Sequence, residues 1–201
     1  MNTFRFPEQI GTVVCLGAHC DDIEIGAGGA IGILARTHPD AQFHFIILSG
    51  SDERRVEATA SARSLLGDRV SVAVGGFVDS FVPYDDPGGA KRFVRKSMPE
   101  ATPDVVFAPQ RTDLHQDHRF LADVAGQVCR DSVILGYEIA KYDGGLEPPS
   151  LYVHLSADEA HAKVEHLRNA FPSQVKHHWY SQDAFLSLMR LRGIESNAPE
   201  G

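Results

Sequence analysis

Thr12-Val13-Val14-Cys15-Leu16-Gly17-Ala18-His19-Cys20-Asp21-Asp22-Ile23-Glu24-Ile25-Gly26-Ala27-Gly28-Gly29 is the stretch on which the reading of the whole chain turns. Its first residues, Thr12 to Leu16, form an apolar run of the kind that makes a short buried strand. One imidazole and three carboxylates follow at once: His19, Asp21, Asp22 and Glu24. Then comes a helical segment from Gly26 to Arg36, with Ile31, Leu34 and Ala35 apolar, ending before His38-Pro39. A His-x-Asp-Asp cluster therefore sits where a strand ends and a helix begins, the edge at which open α/β sheets bind ligands. Glycines at 26, 28, 29 and 32 weaken the helix and point to close backbone packing under that edge. Gly26-x-Gly28-Gly29 is neither a dinucleotide fingerprint nor a Walker A sequence.

Two readings of the cluster stand side by side. Neutral imidazole and carboxylate are ligands that zinc accepts, and residues 19 and 22 lie on one tight loop with Asp21 between them, free to hold a proton. Alternatively, Asp21 and Asp22 cap the next helix, where Asp suits the positive end of the dipole. A second cluster favours the metal. Asp113-Leu114-His115-Gln116-Asp117-His118 also follows an apolar run, Val105 to Ala108, and precedes a helical segment, Arg119 to Cys129. Parallel strands put such ends on one edge, so the two clusters can meet across a crevice.

Ala18-His19-Cys20-Asp21-Asp22-Ile23-Glu24 resembles the Ala-His-Pro-Asp-Asp-Glu signature of the zinc-dependent N-acetylglucosaminyl deacetylases, the PIG-L/LmbE-like family. His115-Gln116-Asp117-His118 resembles that family's second signature, His-x-Asp-His, and the likeness runs from about residue 12 to about residue 195. It implies a Rossmann-like, mostly parallel α/β sheet with helices on both faces and the site at the C-terminal edge of the strands. It implies His19, Asp22 and His118 as metal ligands and Asp21 as the general base. His115 would stabilise the oxyanion or protonate the leaving amine, with Asp117 orienting it through a hydrogen bond. Arg54, three residues before Glu57, matches a substrate-side arginine of the family, and Asp79 an aspartate that bonds sugar hydroxyls. The implied cofactor is Zn2+, although two imidazoles and a carboxylate also accept Fe2+, Co2+ or Ni2+. The implied reaction removes the acetyl group from an N-acetylglucosamine-type conjugate. Two alternatives stay open: an amidase for a larger acyl group on an amino-sugar or thiol conjugate, and a non-catalytic sugar-conjugate binding module. Cys20 stands where the family has Pro, and is read as packing against the sheet edge.

The 201 residues suit one domain, 1–201, with 150–201 a strand and helical region that lids the pocket. A net charge of −8 argues against nucleic acid as a partner, and against anionic membrane surfaces. No apolar stretch approaches the ~18 residues of a membrane span, and the N-terminus lacks the apolar region of a signal peptide. Cysteines 15, 20 and 129 are odd in number and scattered, which suggests no disulfide framework. A cytoplasmic protein acting on a small-molecule N-acetylated sugar conjugate is the expectation, with assembly into a homo-oligomer left open.

Elsewhere, residues 1–11 read as an arm or edge segment, and 42–48, 70–74 and 133–137 as strands. A long helix runs from Ser51 through Leu66 to Gly67, a natural C′ residue, with Arg55 on its solvated face. A basic helix over 90–98 faces water, and Leu151 to Leu155 forms a short strand. Ser156 and Glu159 open a helix to Phe171 with a capping box. Its His161 and His166 are five apart and share no face as a metal pair would. A helical region from Ser173 to Gly193 carries His177, His178 and Trp179 near the pocket.

Overall fold

The apolar runs become five parallel strands in a computed structural model that describes residues 6–198. Residues 1–5 of the expected arm lie outside those described. The strands are β1 (Thr12–Gly17), β2 (Gln42–Ile47), β3 (Val70–Val74), β4 (Val105–Pro109) and β5 (Val133–Tyr137). They lie in the order β3-β2-β1-β4-β5, every neighbouring pair parallel. The helices are α1 (Asp22–Thr37), α2 (Asp52–Leu66), α3 (Val82–Asp85), α4 (Pro87–Ser97), α5 (Gln116–Val128), α6 (Ala157–Ala170) and α7 (Gln182–Ser196).

Alternation along the strands splits the core in two. Val13, Cys15, Phe43, Phe45, Ile47, Val105 and Phe107 face α1, α2, α6 and α7. Val14, Leu16, Ile46, Leu48, Val106 and Ala108 face α4 and α5. The chain leaves β1 for a helix on one face and leaves β4, its neighbour, for a helix on the other. A crevice opens between those two strand ends, at the topological switch point of the sheet.

Both helices beside that crevice begin earlier than the sequence suggests. α1 starts at Asp22, not Gly26, and α5 at Gln116, not Arg119. Asp22 and His118 are thereby fixed in first helical turns rather than in loops. Asp21 occupies the N-cap position of α1 yet makes no capping hydrogen bond, which goes against the capping reading. The strand expected over Leu151 to Leu155 is absent; the segment is irregular and lays Leu155 against α1. Arg55, expected on a solvated face, instead donates to the carbonyls of Gly50, Val74 and Gly75. The basic helix, here α4, does expose Lys91, Arg92, Arg95 and Lys96.

The glycines of α1 divide by what faces them. A Cβ on Gly26 would lie 2.1 Å from the Tyr137 ring, and one on Gly29 would lie 2.6 Å from Leu155. Those two permit close packing, as the sequence suggests, whereas Gly32 faces open space. Cys20 is fully buried, its Sγ against Gly50 and 3.4 Å from the Ser49 carbonyl oxygen, so the thiol packs at the sheet edge.

Candidate active site

The loop after β1 and the first turn of α1 present His19, Asp21 and Asp22; the first turn of α5 presents His118, with His115 at its N-cap. His19 Nδ1, Asp22 Oδ2 and His118 Nε2 converge on one point. They lie 3.4 Å (His19–Asp22), 3.3 Å (His118–Asp22) and 3.2 Å (His118–His19) apart. Ligand atoms ~2.0–2.1 Å from a tetrahedral ion would stand ~3.3–3.4 Å from one another, so the triangle has the size of one face of such a site.

The surroundings aim those atoms. His118 Nδ1 lies 3.0 Å from Asp113 Oδ2. A carboxylate only accepts, so Nδ1 carries a proton, and Nε2 is the nitrogen that faces the triangle and can give up its own proton to a cation. Backbone N–H groups of Ala18 and His19 each donate to Asp22 Oδ2 at 2.9 Å and lock that carboxylate. Burial works against its charge, but His118 and His19 outweigh burial and hold the Asp22 pKa well below the usual carboxylate range. Burial alone would lower the His19 pKa; Asp22, Asp117 and Asp79 overcome it and raise it well above the ordinary value. His118 is likewise opposed by burial, yet Asp22 and Asp113 lift it to about 9. Two imidazoles and a carboxylate pressed together this way attract positive charge, whether a proton or a cation.

Asp21 differs from its neighbour. Burial raises its pKa above the usual carboxylate value, although the Arg54 guanidinium pulls the other way. Arg54 Nη2 donates to Asp21 Oδ1 at 2.5 Å, while Asp21 Oδ2 is buried with no hydrogen-bond partner among the described residues. Arg54 Nη1 is 3.9 Å from Asp79 Oδ2. The arginine named as substrate-side by resemblance is thus engaged with Asp21. Asp79 is exposed at the rim, with Oδ1 3.2 Å from His19 Nε2.

His115 and Asp117 are connected otherwise than expected. The hydrogen bond between them runs from the Asp117 backbone N–H to His115 Nδ1, at 3.2 Å. The Asp117 carboxylate turns away, accepting from Ser80 N–H at 2.8 Å and approaching His19 Nε2 at 3.4 Å. The reason is that α5 starts early, so Asp117 sits in its first turn with its N–H free to cap against His115. With Nδ1 accepting, the His115 proton is on Nε2. Burial and the neighbouring His19 and His118 keep the His115 pKa below normal, favouring the neutral ring.

Three features escaped the sequence reading. Asp113 was visible as part of the second cluster but had no assigned part. Lys141, which donates to Asp113 Oδ2 at 2.7 Å, gave no signal at all, lying in an irregular segment after β5. Glu57, named only for its spacing from Arg54, is buried, and its carboxylate accepts from Ser173 N–H and Oγ–H at 2.8 and 2.6 Å, fastening the segment before α7.

A family model described as "PIG-L: GlcNAc-PI de-N-acetylase" matches residues 14–129, which span both clusters. The chain belongs to the PIG-L family. Solved structures share the fold of this PIG-L chain. N,N'-diacetylchitobiose deacetylase from Pyrococcus horikoshii is 20% identical, with a TM-score of 0.68 over 94% of this chain and 80% of that one. The zinc-inhibited form of teicoplanin deacetylase Orf2 is 16% identical, with a TM-score of 0.69 over 94% of each. GalB, the 4-carboxy-2-hydroxymuconate hydratase from Pseudomonas putida KT2440, is also 16% identical, with a TM-score of 0.54 over 94% of this chain and 88% of that one. At these identities the likeness is of fold, and the same fold carries more than one reaction. Among curated proteins none matches. No helix among the described residues is long and apolar enough to cross a membrane.

Proposed function

We propose that this PIG-L protein is a metal-dependent hydrolase that removes the acetyl group from an N-acetylglucosamine-type sugar conjugate. Zinc is the metal we infer, held by His19, Asp22 and His118. The observation that carries the reading is the 3.2–3.4 Å triangle of their ligand atoms, with the His118 ring turned so that Nε2 faces inward while Nδ1 is tied to Asp113. Family membership and the deacetylases among the similar structures support the substrate class.

A divalent ion bound there supplies Lewis acidity for the acetamide carbonyl and lowers the pKa of water. The side chains do the rest. Asp21, with its free Oδ2 and raised pKa, takes the proton of the water that attacks the carbonyl carbon. His115, neutral with its proton on Nε2, donates to the oxygen as negative charge builds there. The C–N bond then breaks, the proton held by Asp21 passes to the leaving nitrogen, and a free amino sugar and acetate result. Arg54 steadies Asp21 during this exchange, and Asp79 at the rim accepts a hydrogen bond from a sugar hydroxyl. Asp117 holds Ser80, the residue beside Asp79, and so sets the rim.

The test is acetate release from a panel of N-acetylglucosamine conjugates, with longer acyl groups included, alongside metal analysis. The native protein is expected to hold one zinc and release acetate; His19→Ala is expected to lose both. Failure to take up metal, or turnover undiminished in His19→Ala, overturns the proposal.

A further inference from the structure

Asp113 is fully buried, and both oxygens of its carboxylate serve the second cluster. Oδ2 accepts from His118 Nδ1–H at 3.0 Å and from Lys141 Nζ at 2.7 Å. Oδ1 accepts from the His115 backbone N–H at 2.8 Å. The Lys141 side chain is only 10% exposed, and its ammonium also donates to the Ile139 carbonyl at 3.0 Å. Lys141 thus reaches the cluster from the irregular segment that follows β5.

We propose that Asp113 and Lys141 form a positioning pair, in which Asp113 sets the tautomer and ring orientation of His118 while Lys141 anchors the carboxylate that does so. The inference rests on the reading of His118 as a metal ligand. Burying an ion pair is seldom worth more to folding than a well-packed apolar pair of the same volume. What an apolar pair cannot do is accept the Nδ1 proton of His118 and so commit its Nε2 lone pair to the triangle. Ligating histidines generally owe their orientation to such a carboxylate. Asp113 alone would leave a buried carboxylate held only by one imidazole N–H and one backbone N–H. Lys141 supplies the balancing charge and pins Oδ2, so the carboxylate cannot swing away from the imidazole. The same lysine ties the segment after β5 to the metal site: its neighbour Tyr142 packs against His178, ring centroids 5.1 Å apart, in the stretch before α7.

Zinc affinity, measured by competition with a chromophoric chelator, tests the pair, together with the visible spectrum of the Co2+-loaded protein. Lys141→Met and Asp113→Asn are each expected to weaken zinc binding by about 10-fold, and Asp113→Ala by up to about 100-fold, with altered cobalt bands. Lys141→Arg is expected to restore the affinity. If Asp113→Ala does not fold, Lys141→Met and Asp113→Asn carry the test. In the zinc-loaded native protein, imidazole nitrogen shifts are expected to show the remaining His118 proton on Nδ1. Variants that bind zinc as tightly as the native protein with an unchanged cobalt spectrum, or a zinc-loaded native protein whose His118 keeps its proton on Nε2, overturn the pair. A protein that loads zinc but releases no acetate sinks the proposed reaction and leaves the pair standing; one that takes up no zinc overturns both.

Discussion

The guanidinium of Arg54 divides between two carboxylates, Asp21 at 2.5 Å and Asp79 at 3.9 Å, and its side chain is 17% exposed. Asp21 is nearly fully buried, so removing its partner strands a charge in low dielectric. Arg54→Ala is expected to cost about 3–5 kcal/mol of stability. Catalysis should fall while bound zinc is retained, because Arg54 touches none of the three proposed ligands. Denaturant melts, metal analysis and turnover on one preparation check this, and unchanged stability would show the pair to be decorative. Arg54→Lys keeps the charge but not the planar fork, and should recover stability better than activity. That the loops bearing His19, Asp22 and His118 would meet was legible in the sequence because two distant His/Asp clusters each followed a strand, while the choice of these three as proposed ligands came from the family resemblance. The orientation of Asp117 was not, since it depends on where α5 begins. Whether the backbone or the carboxylate of such a residue meets His115 is decided by one helical turn, and side-chain chemistry alone does not specify it.

At the scale of elements, periodicity located every strand of the sheet, and it failed at Leu151 to Leu155. A strand needs an open ladder beside it as well as apolar residues. Here the segment spends Leu155 filling the bare surface of α1 at Gly29, a demand that comes from another element entirely. The same helix offers a paired test. Gly26 lies against Tyr137, which is buried and donates its hydroxyl to the Leu16 carbonyl at 2.6 Å, so the ring cannot retreat. Gly26→Ala is expected to destabilise by about 1–3 kcal/mol through overpacking. Gly32 is exposed and faces open space, so Gly32→Ala should stabilise by about 0.5–1 kcal/mol. Chemical denaturation of the two variants decides it; equal effects would mean that the glycines act through helix propensity alone.

Between α6 and α1, the half-buried Lys163 donates to the Ile25 carbonyl at 2.7 Å. Burial pushes its pKa down to about 8, from an ordinary value near 10.5. Between those two pH values the unfolded chain holds a proton that the folded one has released, so stability rises with pH across that window. Below about pH 8 the full burial cost is present. Lys163→Met should remove this slope, and the variant's stability relative to the native protein should be greatest near neutrality and shrink toward pH 10. Urea melts at pH 7, 8.5 and 10 measure it. A native slope that survives in the variant would place its origin elsewhere.

Across the whole molecule, the alternation of strands and helices foretold the parallel sheet, and with it a site at the end of β1 and β4. What composition could not foretell is that the two halves of the sheet meet at that site. His19 and Asp22 follow β1, on the side of the sheet that continues through β2 to β3, and His118 follows β4, on the side that continues to β5. An ion held by all three therefore bridges elements that the chain joins only through a long connection. A ligand that binds only the folded state stabilises it by mass action: at free metal 100 times the dissociation constant the gain is about 2.7 kcal/mol. For a domain of this size that corresponds to a melting temperature about 5–10 °C higher with zinc than after chelation. The increment should vanish in His19→Ala and in His118→Ala, each of which removes one corner of the triangle, and survive in His161→Ala, whose ring sits exposed on α6. Differential scanning calorimetry with zinc titrated back into the chelated protein makes the comparison. A zinc-dependent shift of equal size in His118→Ala would place the metal somewhere other than the crevice between β1 and β4.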